Sequence, residues 1–485
     1  MPVHVRTDLP VVCGFAWPPK SPEDLRRSVD LHAGYHRRGI VPSGDILKRT
    51  LKLLLDCYPR PGPPLFTTSC LCQEIADRGW LHGWKSAAFF NARGVRFLGG
   101  DKSGKRIGEL CPSCVRRGVR EAISLLNPSS TPGVPFCSIA ARDSEFQENK
   151  EKGSILEESV MARFKDIFAL GSKIFSMSPM ELIENNVCSP IRVFIKDEPT
   201  KIAKIALGKL RLISALSVDD QVIDRMLYSR QNDCEIDQWR DIISQPGLGL
   251  DDEGLRTLAS SFREMLKTSD LQSTDISNWD YSVQSWELDL DCEFRIEAAS
   301  GNPIFGFLAR VRTHCIKNKV FCFPDGSLVP QGIDGTQASG WYNTSSSNSR
   351  MRAAVRIVAL LIAVQRKLIA EPSSEVLVNI KTMGDDCVEG VLDDCVLSII
   401  NELGHDIKEI TTYSELAGIE FCSHKWLDNG LAYPINVGKI LFRFFNHSNR
   451  DSHLSEWVAQ LSDDLRNHPD FKRITDVVRA WVEQA

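Results

Sequence analysis

The chain has 485 residues, 42% hydrophobic and 25% charged, with a formal net charge of −5 at pH 7. That balance permits a large, multi-lobed core and excludes a low-complexity chain, and the slight acidity argues against a simple basic nucleic-acid coat. The longest apolar run, "IVALLIAV" at 357–364, is too short to span a bilayer, and "MPVHVRTDLP" has neither region of a secretion signal, so the expectation is an intracellular protein with no transmembrane segment and reduced cysteines.

The first 150 residues are irregular, with Pro and Gly clusters at 58–66 and 127–136 and seven of the 15 cysteines. Two close pairs, Cys70 with Cys72 and Cys111 with Cys114, suggest a zinc site, with His82 as a substitute ligand. Buried thiols under an irregular surface are the plainer alternative. "GGDKSGKR" at 99–106 nearly fits a phosphate-binding loop, but Arg106 stands where a hydroxyl is needed, so it reads as a loop. From about 155 the texture turns helical, as in "ESVMARFKDIFALGSKIF" (158–175).

Around 190–217, "PIRVFIKDEP" and "KLRLISALS" alternate like two strands about a loop in which Lys196, Lys201, Lys204, Lys209 and Arg211 outnumber Asp197 and Glu198. Such a basic hairpin suits a triphosphate, with Lys196 and Arg211 as the candidate phosphate contacts; a solvated hairpin is the bland reading. "LQSTDISNWDYSVQSWELDLDCEFRI" (271–296) reads as a strand turning into a helix near Tyr281, with Asp275 at the strand end and Asp280 five residues on. Taken alone, Asp275 reads more readily as a helix N-cap than as a metal ligand.

A Gly-rich loop then leads into a long helix over 334–368. Ser339-Gly340 supplies a turn, and Thr344 and Asn348, four apart, share a helix face where they can bond a sugar hydroxyl. "EVLVNIKTM" and "DCVEGVL" read as two strands joined through Gly384, Asp385 and Asp386. A helix near 394–404, strands at "GIEFCSHKW" (418–426) and "KILFRFF" (439–445), and a helical tail from about 451 complete the chain. This order is α+β rather than a parallel doubly wound alternation. Asp-Asp also occurs at 219–220, 251–252, 393–394 and 463–464, so the pair at 385–386 carries weight only through its company. Carboxylates from a strand end and a hairpin tip can converge on hard cations.

Asp-x4-Asp, Ser-Gly-x3-Thr-x3-Asn and an apolar-flanked Gly-Asp-Asp, in that order, closely resemble motifs A, B and C of viral RNA-dependent RNA polymerases. "SGWYNTSSSNSR" and "MGDDCVEG" look most like the sobemovirus, polerovirus and barnavirus replicases, and 194–227 is similar to that group's motif F. The resemblance covers roughly 190–445. It implies a right-hand polymerase with an antiparallel palm sheet flanked by helices. Residues 1–150 would be a Cys-rich N-terminal extension of the fingers, 151–270 fingers with motif F, and 271–284 palm. Residues 285–335 would be a fingers insertion, 336–420 palm, and 421–485 motif E and thumb.

By the same resemblance, Asp275 and Asp385 hold two Mg²⁺ ions (Mn²⁺ able to substitute), and Asp386 assists. Asp280 and Asn348, helped by Thr344, Ser339 and Gly340, read the ribose 2′-hydroxyl, and Lys408 is the candidate motif D lysine that protonates pyrophosphate. "EFCSHKW" (420–426) looks like the primer-grip hairpin, motif E. The implied partners are template and product RNA, ribonucleoside triphosphates, and a protein primer or other viral replication proteins. The implied location is the host cytoplasm, at membrane-associated replication complexes. A catalytically silent RNA-binding relative and a reverse transcriptase are the competing readings.

Overall fold

The structure, a computed structural model, describes residues 14–68, 97–100, 106–446 and 453–482. Helix and sheet are mixed along the chain, as the α+β pattern predicts. At the centre lies a four-stranded antiparallel sheet of Leu271–Ile276, Ile380–Met383, Asp386–Gly390 and Ile407–Tyr413. Its spatial order sets Leu271–Ile276 between Asp386–Gly390 and Ile407–Tyr413, with Ile380–Met383 at one edge.

Behind this sheet runs the 22-residue helix Thr344–Gln365, packed against Ile380–Met383 and the helices Gly44–Asp56, Ser285–Ala298 and Asp394–Glu402. Every residue from 346 to 363 is buried, arginines included. Helical periodicity cannot show in a helix covered on all sides, so the run reads as uniformly apolar between its charges. The expected hairpin at 190–217 is present: Ile191–Ile195 pairs antiparallel with Leu212–Ala215, in a second sheet that also takes in Val320–Cys322 and Leu328–Pro330.

Two expectations fail. "KILFRFF" is helical, within Val437–Asn446. Its apolar residues satisfy either period, but Ile440, Leu441, Phe444 and Phe445 line up four apart and pack with Leu461 and the C-cap Leu465 of the helix Leu454–Asp464 and with Val478 of the helix Phe471–Val482. "EVLVNIKTM" is a strand only from Ile380; its first half is a helical turn, Ser374–Leu377, capped by the Ser373 hydroxyl accepting from the Val376 N–H.

Candidate active site

Gly384 and Asp385 form the tip of a two-residue hairpin, because Met383 pairs directly with Asp386. Gly384 has φ +65° with open space around it, so the glycine is needed for backbone handedness rather than for room. The Ser349 hydroxyl, one helical turn past the start of the long helix, accepts from the Gly384 N–H at 2.8 Å and fixes the tip. Asp385 is exposed there, while Asp386 turns inward and accepts from the Cys422 N–H at 2.7 Å. Asp275 lies on the adjacent strand, not at a helix cap; the residue that begins the following short helix is Asn278, in the left-handed region at φ +50°. Asp275, Asp385 and Asp386 line one cleft of about 340 Å³ with Glu409, Glu420, Ser273 and Thr411.

Asp385 is also on the wall of a second, larger cleft of about 850 Å³, and so marks the junction of the two. Asp280 and Asn348 face this larger cleft and are joined by a 3.0 Å bond from the carboxamide to the carboxylate. Gln337 donates to the other side of Asn348 at 3.3 Å, so the carboxamide is oriented from both ends. Thr344 donates to the Ala338 and Trp341 carbonyls at 2.7 and 2.8 Å, which folds the loop onto the helix start. Ser339 and Gly340 do more than turn the chain. The Ser339 hydroxyl accepts from the Ser214 N–H at 3.0 Å, and the Gly340 N–H donates to the Ser214 carbonyl at 3.1 Å. A Cβ on Gly340 would meet that carbonyl oxygen at 2.5 Å, so only glycine permits this approach.

Opposite these residues stand Lys201, Lys204, Lys209 and Arg211. Burial holds Lys204 below the usual lysine range, and the charges of Lys209, Lys408 and Lys201 push it the same way. Lys196 does not reach the cleft wall; its ammonium is 3.6 Å from Glu198, which also takes Arg211 at 3.5 Å and Lys439 at 3.3 Å. Lys439 and Glu198 were missed as cleft residues, because the first sits on the helix misread as a strand and the second reads as a mere offset to charge. Lys408 pairs with Asp275, since the register slips between Ile407 and Glu409 and turns the extra residue onto the neighbouring strand.

Apart from Asp275, which Lys408 pairs, the cleft aspartates Asp280, Asp385 and Asp386 make no ion pair among the described residues. Burial, reinforced by Asp385 and Asp275, pushes Asp386 up to about 6 despite its backbone bond. Asp280 is raised to about 6 by burial and by Asp385, against the bond from Asn348. Asp385 is raised too: although the tip is open to solvent at its surface, the surrounding cleft walls desolvate the carboxyl, and Asp275 adds to the shift. Among the described residues no three His, Cys, Asp or Glu side chains close into a metal cage. An acid cluster short of a cage fits a divalent cation that draws part of its shell from phosphate and water. For the zinc candidates, Cys70, Cys72 and His82 lie outside the described residues; Cys111 sits at the N-cap of the helix Pro112–Ser124 and Cys114 is buried in its first turn.

The comparisons agree with this geometry. Residues 119–443 match the family described as viral RNA-directed RNA-polymerase. The RNA-directed RNA polymerase of Mushroom bacilliform virus (isolate Australia/AUS LF-1) is 36% identical over 438 residues, 88% of this chain and 97% of that protein. The replicase polyprotein P2AB of Southern bean mosaic virus (isolate Bean/United States/Arkansas) is 29% identical over 97% of this chain, which spans 43% of that polyprotein. Protein P1-P2 of Potato leafroll virus (strain Potato/Scotland/strain 1/1984) is 28% identical over 90% of this chain and 37% of its own length. With two clefts meeting at Asp385, and a matched segment that takes in every motif from the basic hairpin to Lys439, the chain belongs to the viral RNA-directed RNA polymerases.

Proposed function

We propose that the chain copies a viral RNA genome from ribonucleoside triphosphates, with residues 271–284 and 336–420 as palm, 1–270 and 285–335 as fingers, and 421–485 as motif E and thumb. The observation that carries this reading is the shared position of Asp385, between an acidic cleft suited to the growing 3′ end and a basic cleft suited to a triphosphate. Asp275 and Asp385, with Asp386 assisting, would hold Mg²⁺ or Mn²⁺. When bound, such ions activate the attacking hydroxyl and stabilise the leaving oxygen.

The protein groups divide the rest. Arg211, Lys204 and Lys209 neutralise the triphosphate, and the Asp280–Asn348 pair bonds the ribose 2′-hydroxyl. Lys408 is held beside the reacting groups by Asp275 and donates a proton to the departing pyrophosphate. Positioning and charge stabilisation supply most of the rate in phosphoryl transfer. The template is held by backbone phosphates and 2′-hydroxyls with little sequence readout. The reading places the protein in the host cytoplasm at membrane-associated replication complexes, with a protein primer or other replication proteins as further partners. Among the described residues no helix is long and apolar enough to cross a membrane.

The test is incorporation of labelled ribonucleotides and 2′-deoxynucleotides on a polyribonucleotide template with Mg²⁺. Ribonucleotides are expected to be strongly preferred; equal use of both would favour a reverse transcriptase, and no incorporation a silent relative. Asn348→Ala should erode the preference by about tenfold, the scale of one hydrogen bond to a charged network. An unchanged preference would remove Asn348 from the role.

A further inference from the structure

Residues 15–40 lie outside the segment matched to the family and outside every motif above, yet they tie the walls of the larger cleft together. Phe15–Ala16 pairs antiparallel with Thr200–Lys201 in the basic loop. The helix Pro22–Ala33 lies against Leu210, whose N–H donates to the Ser28 hydroxyl at 3.3 Å and whose carbonyl accepts from the same hydroxyl at 3.2 Å. Further on, His36 Nδ1 donates to the Tyr281 carbonyl at 2.9 Å, and Gln284 donates to the Arg37 carbonyl at 2.9 Å.

His32 stands at the middle of this strap. Its Nε2 is 2.7 Å from the Leu210 carbonyl, which only accepts, so Nε2 carries the proton. Its ring stacks on Tyr281, with centroids 4.8 Å apart and planes 10° from parallel. Leu210 immediately precedes Arg211, and Tyr281 immediately follows Asp280. One imidazole therefore bridges the residue before the phosphate cation and the residue after the ribose carboxylate. His32 is only 6% exposed and lines the cleft, with the Asn278 side chain against its ring from the same cleft.

We propose that His32 is a positioning residue for nucleotide selection. It sets the spacing between Arg211 on the phosphate side and Asp280 on the sugar side, so that a ribonucleotide is gripped at both ends at once. The inference rests on the roles given to Arg211 and Asp280 above. Two contacts do the work, a hydrogen bond and a ring stack, and they can be removed separately. His32→Phe keeps the stack and loses the bond; His32→Gln keeps an N–H donor and loses the stack; His32→Ala loses both.

Steady-state incorporation with ribo- and 2′-deoxynucleotides reads the effect. His32→Ala should raise KM for ribonucleotides and lower the ribose preference, each by about two- to tenfold, the factor corresponding to the net value of one hydrogen bond. At saturating nucleotide kcat should stay within about twofold, since no reacting group is touched. His32→Phe and His32→Gln should each recover part of both losses. Unchanged KM and unchanged preference in His32→Ala, whatever its thermal midpoint, would overturn the proposal. Should His32→Ala fail to fold, the same two measurements on the Phe and Gln variants decide, and wild-type values in both would overturn it. Asn348→Ala run alongside separates the cases: if it too leaves the preference untouched, the ribose reading has failed rather than the role of His32.

Discussion

The two faces of the central sheet hold acids of similar strength in opposite conditions. On the cleft face Asp275, Asp385 and Asp386 have, among the described residues, one ion-pair partner, Lys408, and Asp386 a backbone N–H from Cys422. On the other face Glu389 is 0% exposed, yet it accepts from Thr274 at 2.7 Å, from Arg352 at 2.8 Å and from Arg356 at 3.1 Å. Burial alone would raise Glu389; the two guanidiniums outweigh it and hold the carboxylate below its usual range. Strand alternation makes the contrast possible, since Thr274 and Asp275 are neighbours in sequence and face opposite ways. Resident arginines settle the charge behind the sheet, and the charge in front is left for a substrate-borne or diffusible cation.

That contrast can be broken from either side. Asp385→Ala should cut nucleotide incorporation by about 10³-fold or more, the scale seen when a charge-stabilising group leaves a reaction centre, with the thermal midpoint almost unmoved. Activity within tenfold of wild type would take Asp385 out of the reaction. Glu389→Ala should do the reverse, costing about 3–5 kcal/mol of stability in denaturant titration because Arg352 and Arg356 are stranded in the interior. A loss under 1 kcal/mol would mean the arginines find other partners.

The smallest effect tests the sign of the front-face charge. Asp386 titrates at about 6 when folded against an ordinary 3.8, so its contribution to stability is full below that ordinary value and is lost as pH rises through about 6. At pH 7.5 with metal chelated, Asp386→Asn should therefore raise stability by about 1–3 kcal/mol, and the gain should fade as pH drops through 6 towards 4. A gain that persists at pH 4, or a loss at pH 7.5, would show that the carboxylate is not the source of strain.

Local chemistry was legible where it was also local in sequence. The hairpin at Gly384, the shared face of Thr344 and Asn348, and the paired strands around the basic loop all follow from spacing of a few residues. The other Asp-Asp copies turn out ordinary: Asp251 caps a helix by accepting from Gly254 at 2.7 Å, and Asp219 and Asp220 are buried against Arg163 and Arg312. What stayed hidden depends on contacts between distant segments. Nothing near His32 signals Tyr281, and nothing near Lys439 signals Glu198. Lys196 looked equal to Arg211 because alternation cannot say which side of a hairpin meets a cleft assembled from six separate stretches of chain.

The strap also imposes an order in time. The Ile40 N–H donates to the Glu402 carbonyl at 2.8 Å, and Gly39 is pressed so close to Leu403 that a Cβ there would lie 1.9 Å from its carbonyl oxygen. During synthesis at about 5–20 residues per second, residue 40 leaves the ribosome roughly 20–70 seconds before residue 402 exists to receive it. The end of the strap thus stays unseated until residues 402 and 403 have been made, while its contacts with residues 200–201, 210 and 281 have their partners much earlier.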